Sequence, residues 1–267
     1  MRYKHYLSKL TNEIPTSYYW VGFIFADGSI SDNNRMTLVL SKKDSDHIKK
    51  FVSFIGGIHP IRNEKRYNTC GIKIMDSYNI SYITAKFGIK PRKTYDPPSI
   101  YKLSNVLSKD NLFYSFIIGF IDGDGCIHKQ TGRTDCGLII KLHRSWANIL
   151  QYFSDRICCN LQLKPNVVRI NKYGYAEMRF TNSIILKHLK SKVYELGLPH
   201  LERKWDLIDV NYISRVEQAV YNVDNVRKLA SIGKKNKEMS QILELSPSAI
   251  TMIMKRNNIK YNKGRSK

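Results

Sequence analysis

Two apolar runs of helical length dominate the pattern of hydrophobic and polar positions along the chain. The first covers about Ser17 to Asp27 and the second about Leu112 to Asp124. Each run ends in an Asp that is followed at once by Gly, a residue favoured where a helix stops. Helices that are apolar on most sides are buried in a protein core. The pattern therefore predicts two core helices whose last residue is a carboxylate.

Both runs carry small residues four positions apart, Gly22 with Ala26 and Gly119 with Gly123. Positions four apart lie on one face of a helix, and faces lined with small residues let two helix backbones approach closely. If the two helices pack on each other, their terminal carboxylates lie side by side and repel each other. A divalent cation beside the carboxylates would relieve that repulsion. The alternative is two ordinary core helices whose Asp residues only cap neighbouring groups.

Each core helix is followed by the same succession of shorter elements. Alternating residues predict two strands, helical spacing predicts a helix, and both patterns then recur. We expect the later helices to be capped by Asp44, by Asp76 or the Ser after it, and by Asn182 or the Ser after it. The repeated order indicates an internal repeat of about one hundred residues. The predicted strands cover residues 29–31, 35–41, 58–63 and 67–75, and then 126–130, 137–143, 166–171 and 175–181.

The predicted fold class is α+β. We expect two pseudo-symmetric αββαββα repeats, residues 1–110 and 111–215, followed by a small all-α module at residues 222–267. The strands of each repeat would form one antiparallel sheet, and with both core helices at the centre the two sheets would form one curved saddle. Such a surface on a basic chain suits the major groove of DNA, where two-stranded ribbons can read base edges.

The C-terminal module has a pattern of its own. Ser246-Pro247 is a strong helix start, since Ser caps a helix and Pro fits its first position. Two predicted helices precede it, the first stopped by Gly233 and the second capped by Asn236. This succession is typical of a helix-turn-helix, whose last helix enters the major groove; a packing appendage without a DNA role is the alternative. The side chains that would face bases or phosphates are Ser248, Ala249, Thr251, Met252, Lys255 and Arg256.

Composition favours a polyanionic partner. The 267 residues include 44 Lys and Arg against 22 Asp and Glu, a formal net charge of +22, so binding to a polyanion would be salt-dependent. The five cysteines are odd in number and form no C-x-x-C pair, which argues against a disulfide framework and a zinc ribbon. Residues 1–10 contain no apolar signal region, and no run suits a membrane span. We expect a soluble monomer in a reducing compartment, cytoplasmic or organellar, with no membrane partner.

The two apolar runs resemble the LAGLIDADG motif of the homing endonucleases. The matching segments are WVGFIFADG at residues 20–28 and IIGFIDGDG at residues 117–125. Two copies about one hundred residues apart in a basic chain make the resemblance specific, and it extends over about residues 17–210. The first copy departs from the commonest motif at Phe25, where many members of the family carry an acid.

The resemblance implies hydrolysis of one phosphodiester bond in each strand of double-stranded DNA. Two similar but non-identical halves imply a long asymmetric target, cut to leave short 3′ overhangs. The implied cofactor is Mg²⁺, with Mn²⁺ as a substitute and with Ca²⁺ supporting DNA binding but not cleavage. The metal ligands that the resemblance implies are Asp27 and Asp124 with their neighbours Ala26, Gly28, Gly123 and Gly125.

Basic pairs follow the last predicted helix of each repeat, at Arg92-Lys93 and at Arg203-Lys204. In the homing endonucleases a lysine after that helix lies near the scissile phosphate. The resemblance therefore implies Lys93 and Lys204 as catalytic residues, and we expect the two arginines to contact DNA. A solvated basic face is the alternative for any such pair.

A second matched position follows the second strand of each repeat, at Lys42 and Arg144. In the family a polar or basic side chain there orders active-site waters, although Lys43 and His143 stand equally close in this sequence.

Four other functions compete with that of an endonuclease. An RNA-splicing maturase, with intron RNA as a partner, or a non-cleaving regulator could use the same fold. An intein is disfavoured, because the chain begins with Met1 and ends in Arg-Ser-Lys without a terminal His-Asn. A plain helix-turn-helix repressor leaves some two hundred residues unexplained.

Overall fold

The chain forms two compact units in a computed structural model that describes residues 6–129 and 136–260. The first unit is Met1–Val210 and the second is Asn211–Lys267. The first unit contains the helices and strands of both predicted repeats, although it ends at Val210 and not at residue 215. The α+β class and the two-fold αββαββα order are confirmed.

The first repeat supplies one four-stranded antiparallel sheet, in which the second strand lies between the first and the fourth and the third strand pairs with the fourth. Along the strand Arg35–Ser41 the side chains of Met36, Leu38 and Leu40 are buried, while those between them are more exposed. This alternation gives the sheet one face toward the core and one toward solvent. The elements are α1 (Pro15–Asp27), β1 (Gly28–Ile30), β2 (Arg35–Ser41), α2 (Ser45–Phe54), β3 (Arg62–Glu64), β4 (Thr69–Met75), α3 (Ser77–Phe87) and α4 (Ile100–Val106).

The elements of the second repeat are α5 (Asp110–Asp124), β5 (Gly125–Lys129), β6 (Cys136–His143), α6 (Ala147–Asn160), β7 (Arg169–Ile170), β8 (Tyr175–Phe180), α7 (Ser183–Glu195) and α8 (Glu202–Trp205). Its four strands form an equivalent sheet in the order β5-β6-β8-β7.

Helices α1 and α5 touch through their backbones. A Cβ atom added to Gly22 would lie 1.9 Å from the main-chain oxygen of Phe116, and one added to Gly119 would lie 1.9 Å from that of Tyr19. No side chain larger than hydrogen fits at either glycine, because real Cβ atoms do not approach another atom so closely. The close helix packing expected from the small residues is therefore confirmed.

Helix starts agree only in part with the predicted caps. Asp76 accepts a hydrogen bond from the main-chain N–H of Asn79, and Asn182 accepts one from that of Ile184, so both caps are confirmed. Asp44 precedes α2 but makes no capping hydrogen bond, because its carboxylate is bound elsewhere. The short helices α4 and α8 were not predicted, since neither is long enough to show a helical period.

The second unit is a bundle of three helices, α9 (Arg215–Ser231), α10 (Asn236–Leu243) and α11 (Pro247–Arg256). Helix α9 begins well before residue 222, at a capping box in which Ser214 and Glu217 bind each other's main-chain N–H. Ser246 caps α11 as predicted, whereas α10 has Lys235 at its N-cap and Asn236 as its first residue. The buried side chains between the helices are those of Val226, Ala230, Met239, Ile250 and Met254.

Two further observations bear on the sequence predictions. None of the five cysteines, all of which lie in the described ranges, forms a disulfide. Over the two described ranges, no helix combines the length and the apolar character that crossing a membrane requires.

Candidate active site

Asp27 and Asp124 are the last residues of α1 and α5, and the packing of those helices brings their carboxylates together. A Cβ atom added to Gly123 would lie 2.2 Å from the Cβ of Ala26 and 3.4 Å from the carboxyl carbon of Asp27. The side chain of Asp27 therefore lies against the end of the other repeat's helix. Both aspartates are only partly exposed to solvent.

Burial raises the proton affinity of both carboxylates. Burial, and after it the charge of Asp124, raise the pKa of Asp27 from 3.8 to about 6. Burial likewise raises the pKa of Asp124, while Lys93 and Lys204 oppose that shift. Two acids held in a partly dry site are costly to ionise together. The site is therefore electrostatically suited to a divalent cation.

Lys93 lies at the end of α1. Its Nζ donates hydrogen bonds to the main-chain oxygens of Phe25 at 2.6 Å and Ala26 at 2.5 Å. The last carbonyls of a helix lack partners within it and carry the negative end of the helix dipole, which explains why an ammonium group binds there. Burial lowers the pKa of Lys93, while the charges of Asp124 and Asp27 oppose that shift.

Lys204 holds the equivalent place at the end of α5. It is more deeply buried than Lys93, with an exposed fraction of 7%. Burial lowers the pKa of Lys204, and the charge of Asp122 is the largest influence in the opposite direction. The Nζ donors reach four main-chain oxygens, those of Ile121 at 3.0 Å, Asp122 at 2.6 Å, Gly123 at 3.3 Å and Gly125 at 2.7 Å.

The two arginines of the basic pairs differ in their surroundings. Arg92 is exposed and has a left-handed backbone with φ of 59°. Arg203 makes a two-point ion pair with Asp44, with N–O distances of 2.7 Å from both Nε and Nη2. That pair joins the second repeat to the first, so the guanidinium of Arg203 already has a carboxylate partner.

Lys42 and Arg144 occupy equivalent places, since each opens a short 3-10 turn after the second strand of its sheet. The main-chain N–H of Lys42 donates to the oxygen of Asn68, and that of Arg144 to the oxygen of Gly174, both at 2.9 Å. Both side chains are exposed. Their proposed effect on active-site waters stays a prediction.

A cleft of about 540 Å³ opens beside Asp124. Lys93 and Arg144 line it together with Tyr95 and His143, whose rings meet edge to face with centroids 4.9 Å apart. Lys141 also lines the cleft. The cleft therefore combines an acid, three basic side chains and aromatic rings, a set suited to a phosphate and the sugar or base beside it.

The oxygen atoms at the two helix ends fit Mg²⁺. The ion binds through one or two carboxylates and keeps several waters. The site offers the carboxylates of Asp27 and Asp124 with the main-chain oxygens of Ala26 and Gly123, which also accept hydrogen bonds from Lys93 and Lys204. No cluster of three or more His, Cys, Asp or Glu side chains arranged for a metal occurs in the described part of the chain. The expected ligands Gly28 and Gly125 begin the strands that follow, and the oxygen of Gly125 is bound by Lys204.

The sequence interpretation did not include the most deeply buried acid of the site. Asp122 is 1% exposed and accepts hydrogen bonds from Tyr19, Trp205 and the main-chain N–H of Leu201. A sequence signal existed, since an acid inside an apolar helix needs buried partners. The partners themselves lie far along the chain and could not be found from spacing.

The residues predicted to face DNA from the C-terminal module lie on α11. Its side chains Ser248, Thr251, Met252, Lys255 and Arg256 are exposed. The hydroxyl of Thr251 donates to the main-chain oxygen of Pro247 and accepts from Asn236. The turn before α11 contains Glu244 in a left-handed conformation with φ of 52°.

The chain is similar to several solved structures, two of which bear the name LAGLIDADG. The meganuclease I-SmaMI bound to an uncleavable DNA is 13% identical over 93% of this chain and 97% of that chain, with a TM-score of 0.47. The I-LtrWI LAGLIDADG homing endonuclease bound to target DNA is 12% identical over 97% and 100%, also at 0.47. The LAGLIDADG meganuclease I-AabMI bound to uncleaved DNA is 14% identical over 92% and 99%, again at 0.47. No family model and no curated protein matches the sequence.

Proposed function

We propose that the protein is a site-specific DNA endonuclease that makes a metal-dependent double-strand break with 3′ overhangs in a long asymmetric target. The observation that carries the proposal is the pair of partly buried carboxylates, Asp27 and Asp124, at the joined ends of two glycine-packed helices, each near a lysine that binds a helix end. A protein with no chemistry to perform would gain stability by replacing either acid.

The chain's own groups would divide the work of the reaction. Asp27 and Asp124, with the main-chain oxygens of Ala26 and Gly123, would hold Mg²⁺. The ion would supply charge for the developing oxyanion and for the leaving 3′ oxygen, and would acidify a bound water. Lys93 and Lys204 would leave or share their helix-end carbonyls to place positive charge beside the scissile phosphate.

The solvent-facing sides of the two sheets would bind the DNA. Exposed basic side chains there include Lys73 on β4, Lys141 on β6 and Arg179 on β8. Glu177 lies between the last two, at 3.1 Å from Lys141 and 2.8 Å from Arg179, and such pairing restricts the directions in which the two cations point. Arg92 would add a phosphate contact from its exposed loop, and Arg203 would do so only by giving up Asp44.

The three-helix unit would add a second DNA contact through α11. Ser248 and Thr251 would lie toward base edges, and Lys255 and Arg256 toward phosphates. Deletion of the whole second unit, residues 211–267, should weaken affinity and shorten the DNA footprint measured by nuclease protection; a deletion of 222–267 alone would divide α9. An unchanged footprint would contradict this part of the proposal.

The decisive experiment is cleavage of a randomised DNA library with Mg²⁺, followed by sequencing of the cut ends. Wild-type protein should select one long site and leave 3′ overhangs, Mn²⁺ should replace Mg²⁺, and Ca²⁺ should support binding alone. Asp27→Asn and Asp124→Asn should each bind the site and make no double-strand break. Unimpaired cutting by either variant would refute the active-site assignment.

A splicing maturase or a non-cleaving regulator is the second candidate. The observation in its favour is that Lys93 and Lys204 both donate hydrogen bonds to main-chain carbonyls at the helix ends. A regulator would need those lysines only as helix caps. Failure of the wild-type protein to cut any library member, with retained binding to DNA or to an intron RNA, would decide for this candidate.

A further inference from the structure

Asp122 is a buried carboxylate that the proposed reaction does not use. Its Oδ2 accepts a hydrogen bond from the hydroxyl of Tyr19 at 2.6 Å and another from the N–H of Leu201 at 3.0 Å. Its Oδ1 accepts a hydrogen bond from the indole Nε1 of Trp205 at 2.7 Å. A carboxylate removed from water is tolerated only when such donors replace the water. The buried carboxylate of Asp122 therefore depends on these three hydrogen-bond donors.

Two of the three donors belong to the segment that carries Lys204. Leu201 is the N-cap of α8 and Trp205 is its last residue, so Asp122 binds both ends of this short helix. Lys204 lies between them, and its Nζ donates to four main-chain oxygens at the end of α5. Asp122 thereby fixes the lysine segment to the helix whose end the lysine occupies.

The first repeat holds its lysine by different chemistry. Phe25 stands where the second motif has Asp122, and its ring packs edge to face on Phe116 with centroids 5.1 Å apart. The segment of Lys93 is held instead from the second repeat, because the indole Nε1 of Trp146 donates to the main-chain oxygen of Lys93 at 3.0 Å. The hydroxyl of Ser145 donates to the main-chain oxygen of Thr94 at 2.7 Å.

The two lysines differ accordingly in their freedom. Lys93 makes two hydrogen bonds to carbonyls and lines the 540 Å³ cleft beside Asp124. Lys204 makes four such bonds and is 7% exposed. The difference follows from the supports, because a carboxylate that binds both ends of a four-residue helix leaves the residues between them little room to move.

We infer that Asp122 is a positioning residue for Lys204, and that Trp146 is the corresponding positioning residue for Lys93. The two strands of the DNA would then depend on different supports, one on Asp122 and Trp205 and the other on Trp146. The strand-specific part of this inference rests on the proposed endonuclease function, whereas the positioning of Lys204 does not.

The positioning is tested without any cleavage, by the rate at which acetic anhydride acetylates each lysine of the native protein, read by mass spectrometry. Trp205→Phe and Asp122→Asn should raise the rate at Lys204 by about tenfold, roughly the effect of losing one hydrogen bond to a charged group. Lys93 in the same samples is the internal control and should not change. Tyr19→Phe is the matched variant, because it removes a donor of the same carboxylate from outside the lysine segment.

Three outcomes of the labelling are informative. A rise at Lys204 in Trp205→Phe but not in Tyr19→Phe supports the inference. Equal rises in both variants would show general loosening of the core and would overturn it. An unchanged Lys204 in both Trp205→Phe and Asp122→Asn would overturn it as well.

The functional consequence is tested by end-labelling each DNA strand in turn and measuring nicking with Mg²⁺. Trp205→Phe should slow one strand and Trp146→Phe the other, each with little change in DNA affinity. Slowing of the same strand by both variants, or equal slowing of both strands, would refute the division of labour. If the variants show the expected labelling but the wild-type protein cuts neither strand, the endonuclease proposal is refuted and the positioning of Lys204 by Asp122 still holds.

Discussion

Replacing Asp27 by Asn should make the metal-free protein more stable while abolishing its proposed activity. Burial and the charge of Asp124 raise the pKa of Asp27 from 3.8 to about 6. The folded protein therefore holds this proton more tightly than the unfolded chain does. As pH rises from about 4 to about 6, the unfolded chain ionises first and the native state loses stability relative to it.

The size of the effect follows from the shift. A change from 3.8 to about 6 corresponds to about 3 kcal/mol at pH 7, at about 1.4 kcal/mol per pKa unit. Since Asp27 is partly exposed, solvent screening reduces this to between about 1 and 3 kcal/mol. Asn keeps the shape of the side chain and removes the charge, so Asp27→Asn should recover most of that free energy.

The assay is urea unfolding of wild type and Asp27→Asn in EDTA, at pH 4 and at pH 7. The variant should be more stable at pH 7 by the stated amount. The difference should shrink to less than about 1 kcal/mol at pH 4, where the acid is protonated in the folded protein and only about half ionised in the unfolded chain. Mg²⁺ should then raise the stability of the wild type and not that of the variant, because a ligand stabilises the state that binds it. A variant that is no more stable at pH 7, or equally more stable at both pH values, would refute the reasoning.

Three further changes test the packing and the links between elements. Gly119→Ala places a methyl group 1.9 Å from the main-chain oxygen of Tyr19, so it should cost at least about 2 kcal/mol in urea unfolding, and a silent substitution would contradict the backbone contact. Arg203→Ala should destabilise the protein by about 1 to 3 kcal/mol, while a double-mutant cycle with Asp44→Ala should show strong coupling; additive effects would mean that the ion pair is not formed. Ser246→Ala removes the cap of α11 and should lower stability by about 1 kcal/mol when thermal unfolding of the second unit is followed, and no change would argue against the cap.

The internal repeat could be derived from the sequence because local patterns determine it. Apolar runs, alternating residues and glycines at helix ends recur in both halves, and the same backbone preferences act wherever those patterns occur. The spacing of Gly22 and Ala26 was sufficient to predict close packing of α1 on another helix. Short elements such as α4 were not predicted, because its seven residues are too few to show a helical period.

Local patterns of residues were therefore sufficient to predict the class of fold, the two core helices and the pair of terminal carboxylates. The groups around those carboxylates could not be predicted, because they depend on tertiary packing. Lys204 binds carbonyls about 80 positions earlier in the chain, and Arg203 binds Asp44 across 159 positions. At one and the same motif position, Asp122 of the second repeat binds Trp205, whereas Phe25 of the first repeat packs on Phe116. Contacts of this length depend on how whole helices pack, and no local preference of the chain encodes them.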